Sequence, residues 1–142
     1  PVAGGSPAQA GALAGLRVLL VDDTADTLEA FGCLLELEGA QVTTAQSGAE
    51  ALAHAERVSF DLILSDIGMP GMDGHELLSR LRQRAETANV PAVALTGFGR
   101  SQDIRRALDA GFVAHLSKPV RLGALTEVLE KLDLAPPPGR SA

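Results

Sequence analysis

Five short apolar runs, LRVLLV, QVTTA, DLILS, PAVALT and FVAHLS, alternate along this 142-residue chain with longer stretches whose apolar residues recur at helical spacing. A helix between two strands carries the chain back across the sheet, so successive strands run parallel and each crossover is right-handed. The first, third and fourth runs are almost wholly apolar, as in strands covered by helices on both faces. The expected architecture is therefore an α/β doubly wound parallel sheet of five strands with five helices. No internal repeat competes with it.

The helices carry their own signatures. Leu28, Phe31 and Leu35 give the first an apolar face, and Leu122, Leu125, Leu129 and Leu132 give the last another. Two helix starts hold capping-box pairs, Ser47 with Glu50 and Asp73 with Glu76, in which one side chain accepts from a backbone N–H and the other reaches back. Outside the alternation, residues 1–15 (PVAGGSPAQAGALAG) and 135–142 (APPPGRSA) have the Pro, Gly, Ala and Ser content of linkers. They are expected to be flexible tails around one domain at 16–134. With 46% hydrophobic residues, that domain can bury a real core.

Charge and cysteine content exclude several classes. A net charge of −6 leaves no basic stripe, so direct binding to nucleic acid or to an anionic membrane surface is not expected. Cys33 stands alone, which rules out an intramolecular disulfide and a cysteine-rich zinc set and points to a reducing compartment. There is no basic segment followed by an apolar block, and no apolar run near the roughly 18 residues of a membrane span. A cytoplasmic location is expected. The chain starts at Pro1 without Met, which fits excision from a longer chain or removal of Met before Pro.

In open α/β sheets, ligands sit beyond the carboxyl ends of the strands. The first strand runs into Asp22 and Asp23, the third into Asp66 within DLILSDIGMPGMDG, the fourth into Thr96, and the fifth into Lys118 and Pro119. Gathered carboxylates repel: a pair about 4 Å apart costs on the order of 4 kcal/mol at an effective dielectric of 20. Lys118 supplies one compensating charge, and a hard divalent cation with oxygen ligands would supply the rest. Mg²⁺ suits one or two carboxylates plus waters. VDDTADT has the wrong charge for a phosphate-cradling first loop, and it lacks the D-x-D-x-T of phosphatases with an aspartyl nucleophile.

VLLVDD, SDIGMPGMDG, ALTG and LSKPV, in this order at the ends of four strands, resemble the receiver domain of two-component response regulators. The resemblance covers nearly all of 16–134 and implies the flavodoxin-like strand order 2-1-3-4-5. It implies that Asp66 is the phosphoacceptor, charged from a phosphohistidine on a histidine kinase or histidine phosphotransfer protein. Mg²⁺ would be held by Asp22, Asp23, Asp66 and the backbone carbonyl of Gly68. Lys118 would contact the phosphoryl oxygens, Pro119 would hold its turn, and Thr96 would donate its hydroxyl to the same group.

In such domains Thr and an aromatic residue three positions before the Lys form a switch that reshapes the face of the fourth helix, fifth strand and fifth helix. Here that position is His115, a departure from Tyr or Phe. Its imidazole is smaller and titrates near neutral pH, so the coupling is expected to be weaker or pH-dependent. Catalysis would be confined to phosphorylation and dephosphorylation of the domain's own Asp. The parent would be a stand-alone receiver or, as the flanks and absent Met favour, part of a hybrid histidine kinase. Two rival functions are a receiver-like interaction module that is never phosphorylated and a phosphohydrolase of small substrates. The complete set Asp22, Asp23, Asp66, Thr96 and Lys118 argues against the first. His54 and His75 are expected at the surface, Met69 and Met72 in packing, and Cys33 packed beside Leu34 and Leu35.

Overall fold

The computed structural model describes residues 13–69, 71–97, 101–118 and 120–132. Five strands, β1 (Arg17–Val21), β2 (Gln41–Ala45), β3 (Leu62–Asp66), β4 (Ala92–Gly97) and β5 (Ala114–Lys118), alternate with five helices. These are α1 (Ala25–Leu37), α2 (Gly48–Ala55), α3 (Gly74–Arg82), α4 (Ser101–Ala110) and α5 (Leu122–Lys131). Every strand pairing is parallel and the spatial order is β2-β1-β3-β4-β5, the expected 2-1-3-4-5.

Strand alternation divides the core in two. One face of the sheet carries Val18, Leu20, Leu62, Leu64, Val93, Leu95 and Leu116, covered by Leu28, Phe31 and Leu35 of α1 and Leu125 and Leu129 of α5. The other carries Leu19, Val21, Ile63, Ala92 and Ala94, covered by Ala51 of α2, Leu77, Leu78 and Leu81 of α3 and Ala107 of α4. Each fully buried aliphatic side chain contributes about 1.5–3 kcal/mol relative to exposure, so this two-sided covering holds the sheet.

The connections follow local rules. Beyond α1, Gly39 adopts φ +97 and its N–H donates to the Glu36 carbonyl, while the Ala40 N–H donates to the Leu35 carbonyl. This is a Schellman stop, and it turns the chain into β2. Ser47 caps α2 by accepting from the Glu50 N–H at 3.1 Å, and Asp73 caps α3 by accepting from the Glu76 N–H at 2.9 Å. The reciprocal halves differ from the expected boxes. Glu50 accepts from the N–H of Gln46, one residue before the cap. Glu76 turns instead to Arg80, one helical turn on, at 2.9 Å.

At the amino ends of the strands, Asp61 accepts from the Arg17 N–H at 2.9 Å and from its guanidinium at 3.2 and 3.3 Å. The Asp61 N–H returns a bond to the Arg17 carbonyl at 2.8 Å. This contact joins the starts of β1 and β3, and the hydrogen bond and charge of Asp61 raise the Arg17 pKa.

Two placements differ from expectation. The tail assigned to residues 1–15 is too long by at least three: Leu13 is buried in the α1 core, with its N–H on the Glu38 carbonyl and that of Gly15 on Gly39. Composition marks Ala, Gly and Leu together as linker, but a leucine beside an apolar face packs against it. Cys33 is exposed, because Gly32 fills the inward position of α1 against Val42 and Thr44 of β2. Residues 1–12, 135–142 and Pro119 lie outside the described residues.

Candidate functional site

Period-two alternation carries the apolar pattern of three strands directly into charge. Asp22 follows Val18 and Leu20, Asp66 follows Leu62 and Leu64, and Lys118 follows Leu116, so the three belong to the face covered by α1 and α5. Each strand stays apolar until it leaves the cover of the helices, and there the side chain becomes ionic. The carboxylates of Asp22, Asp23 and Asp66 each offer an oxygen within 4.8 Å of the others. Asp22 is fully buried, Asp66 is buried and Asp23 faces solvent.

Lys118 Nζ stands 2.7 Å from Asp22 Oδ2 and 3.1 Å from Asp66 Oδ2. Burial pushes its pKa down, but the contacts and charges of Asp22 and Asp66 raise it by more, so the ammonium holds its proton above the usual lysine value. The remaining oxygens are taken by the backbone. Asp22 Oδ1 accepts from the Thr24 N–H at 2.8 Å and Asp66 Oδ1 from the Gly68 N–H at 3.1 Å. Both are turns in which an Asp binds the amide two residues on, and they fix the carboxylate planes.

The donor set tests whether a hard cation fits. Three carboxylates face one ammonium, an excess of negative charge. Buried Asp22 Oδ2 has no donor aligned for a hydrogen bond, its 2.7 Å lysine contact being an ion pair out of line. An unaligned buried carboxylate oxygen beside two more carboxylates suits Mg²⁺.

Thr96 belongs to the opposite face. It pairs in register with Ser117, is fully buried, and donates its hydroxyl at 3.5 Å to the Leu116 carbonyl. His115 lies two residues before Ser117 on the same strand, half-buried and paired with Ala94, so it shares that face with Thr96. The expected site residues thus form a charged set on one side of the sheet, with Thr96 and His115 together on the other. Met69 is buried, and Met72 lies over Gly48. His75 meets Phe112 edge-on at 6.2 Å, and His54 stands 3.9 Å from Glu50.

Two contributors were not apparent from spacing. A Cβ on Gly74 would lie 2.5 Å from the Asp66 carbonyl oxygen and 2.7 Å from Ile67 Cα, so the start of α3 rests directly on the end of β3. Beside Lys118, a cavity of about 370 Å³ is lined by Asp26, Thr27, Ala30, Phe31, Leu34 and Val120, an apolar groove leading to the charged set.

The profile described as the response regulator receiver domain matches residues 18–130. The chain is 42% identical to an uncharacterized 14.6 kDa protein in the sodA1 3′ region of Leptolyngbya boryana, over 89% of this chain and 96% of that one. It is 36% identical to the sensor histidine kinase RcsC of Salmonella typhi over 80% of this chain, which spans only 12% of that protein. Among solved structures it resembles the receiver domain of a Pseudomonas aeruginosa PAO1 sensor histidine kinase, with TM-score 0.75, 31% identity, and coverage of 83% of this chain and 97% of the other. That structure holds a magnesium ion coordinated in its active-site cleft.

Proposed function

Because this chain belongs to the response regulator receiver domain family, we propose that it is a phosphoacceptor module of a two-component phosphorelay, with Asp66 as the acceptor. The observation that carries this is the convergence of Asp66, at the end of a buried strand, with two further acids and one lysine.

In the proposed reaction an Asp66 carboxylate oxygen attacks the phosphorus of a phosphohistidine on a histidine kinase or histidine phosphotransfer protein. A P–O bond forms as the P–N bond breaks, and the electron pair leaves with the imidazole, which takes a proton from solvent. The product is an aspartyl phosphate, and carboxylate nucleophiles of this kind are well precedented. Mg²⁺ held by Asp22, Asp23, Asp66 and the Gly68 carbonyl would neutralise the carboxylates and the charge of the transferring group. Lys118 contacts the phosphoryl oxygens. Thr96 exchanges its long bond to Leu116 for a stronger, charge-assisted bond to the phosphoryl group.

That exchange draws Thr96 toward the strand ends and leaves space on its own face, where His115 can follow. The surface of α4, β5 and α5 is thereby reshaped by a local charge. The donor reaches Asp66 along the groove of Phe31, Leu34 and Val120, beside exposed residues of α1. Among the described residues no helix is long and apolar enough to cross a membrane, and the relay is proposed to operate in the cytoplasm.

Intact-protein mass spectrometry after incubation with Mg²⁺ and a small phosphodonor tests the assignment. One phosphate adduct is expected in the wild type, none in Asp66→Asn and none with chelator. An adduct that survives in Asp66→Asn would overturn it. Absence of an adduct even with phosphorylated histidine kinases would favour a constitutive interaction module.

A further inference from the structure

Charge is divided unevenly along the chain. Residues 22–56, which include α1, β2 and α2, hold eight Asp and Glu and no Lys or Arg, a charge of −8, while the remainder, with ten acids and twelve bases, carries +2. The acidic part surrounds an open sheet edge, because β2 ends the strand order and pairs with β1 on one side only. The Gln41 N–H donates to the Leu16 carbonyl at 2.8 Å, and the Ala45 carbonyl accepts from the Asp22 N–H at 3.0 Å. Backbone alternation then leaves the N–H and C=O of Val42 and Thr44 facing away from the sheet. β2 carries none of the Pro or charged residues that commonly blunt such an edge. Beside it, cavities of about 330 and 210 Å³ share Leu28, Glu29 and Thr44 and so join into one groove between α1 and β2. Glu29 and Glu36 line this groove from the exposed side of α1, and neither meets a cation among the described residues.

We infer that this edge is a docking surface for an extended, basic segment of a partner protein, which adds to the sheet beside β2. The added strand pairs its backbone with Val42 and Thr44, and its Lys or Arg side chains, at alternate positions, lie over the groove against Glu29 and Glu36. The occupant is not this chain's own flank: residues 1–12 hold no Lys or Arg, and residues 133–142 hold only Arg140. Nor is it a matching segment of a second copy, since the alternating Arg80, Arg82 and Arg84 begin within helix α3. The groove follows a different side of α1 from the one lined by Phe31, Leu34 and Val120 that leads to Asp66. A partner held there leaves the acceptor open to its phosphodonor, so the edge serves as a tether that does not compete with the relay.

A fluorescent peptide of alternating Arg and Thr, about eight residues long, is sufficient to cover β2, and its anisotropy reports binding. Affinity for the domain should fall about tenfold when Glu29→Lys and Glu36→Lys are combined, since two attractive contacts become repulsive. It should fall at least about tenfold when the peptide is N-methylated at every residue, which keeps its charge and removes its backbone donors. Thr44→Pro deletes an outward N–H and no ladder bond, so the sheet should hold while affinity drops roughly fivefold. Cys33, the chain's single cysteine, is exposed and lines the groove, so its alkylation by iodoacetamide should slow as wild-type protein is saturated with peptide. No binding of the Arg/Thr peptide would overturn the inference, as would equal binding of the N-methylated peptide or equal affinity in the charge-reversed protein. Protection of Cys33 that rises with protein concentration in the absence of peptide would assign the edge to a second copy and overturn it too. The methylated peptide and the thiol readout both use wild-type protein, so a variant that fails to fold leaves the test intact.

Discussion

Gly48 and Gly74 form a matched pair on which the placement of Asp66 can be tested. Each is the first residue of its helix, each follows a side chain that caps the N–H three residues on, and each would place an added Cβ 2.5 Å from a neighbour. The neighbours differ. At Gly48 the nearest atom is Met72 Sδ, near the end of a side chain with three rotatable bonds. At Gly74 the nearest atoms are the Asp66 carbonyl oxygen and Ile67 Cα. Carbon atoms rest about 3.5–4.0 Å apart, so Gly74→Ala must drive α3 and the end of β3 apart by roughly 1 Å. Overpacking of this kind costs about 1–3 kcal/mol, against up to about 1 kcal/mol gained from alanine's helix propensity. We expect Gly74→Ala to lose roughly 0.5–2 kcal/mol and Gly48→Ala to lose less, because Met72 Sδ and Cγ can rotate away and only its Cβ, at 3.0 Å, must yield with the chain. Urea unfolding monitored by circular dichroism measures both. Because a 1 Å misplacement of a reacting group can lower rates by about 100-fold, Asp66 phosphorylation should slow at least tenfold in Gly74→Ala only. Equal stabilities and equal phosphorylation rates in the two variants would refute the claim that α3 positions the acceptor through this contact.

Leu64 is fully buried in the central strand β3, and Leu64→Ala should cost about 2–5 kcal/mol in urea unfolding. Asp61→Ala removes three accepted hydrogen bonds but leaves a half-exposed Arg17, so a loss of about 1–3 kcal/mol is expected, measurable as a lower melting temperature in calorimetry. The raised pKa of Lys118 predicts a pH effect. Its contribution to stability is complete below the ordinary lysine value of 10.5 and falls as pH rises through the higher folded value. Denaturation curves across that range should therefore show an alkaline loss that is smaller in Lys118→Met.

The sequence made the strand ends legible because alternation needs only local spacing: an apolar run that stops at Asp22, Asp66 or Lys118 must place that charge where helical cover ends. The same rule places Thr96 and His115 together, since β4 and β5 pair in register. Contacts between distant segments were hidden. The approach of Gly74 to Asp66 depends on how the intervening turn folds back, and the groove beside Lys118 is built from α1 and the segment after β5. Composition misled at Leu13, where one leucine in a linker-like segment found an apolar face, and at Cys33, where neighbouring leucines suggested packing but Gly32 took the inward position. The missing half of the second capping box was unreadable for another reason: Glu76 had two attractive partners, and Arg80 one turn away won.

The contact between Arg17 and Asp61 acquires a mechanical meaning from its place in the sheet. It joins β1 and β3 at one end, while the same two strands, locked in register from Val18 with Leu62 to Val21 with Ser65, present Asp22 and Asp66 at the other. Five residues of strand span about 16 Å at 3.3 Å per residue. The pair therefore behaves as a clothes-peg, pivoted at the Arg17 end, with two mutually repelling jaws. The strands cannot slide or splay to relieve that repulsion, so the force remains at the tips, where only a cation gripped between them can balance it.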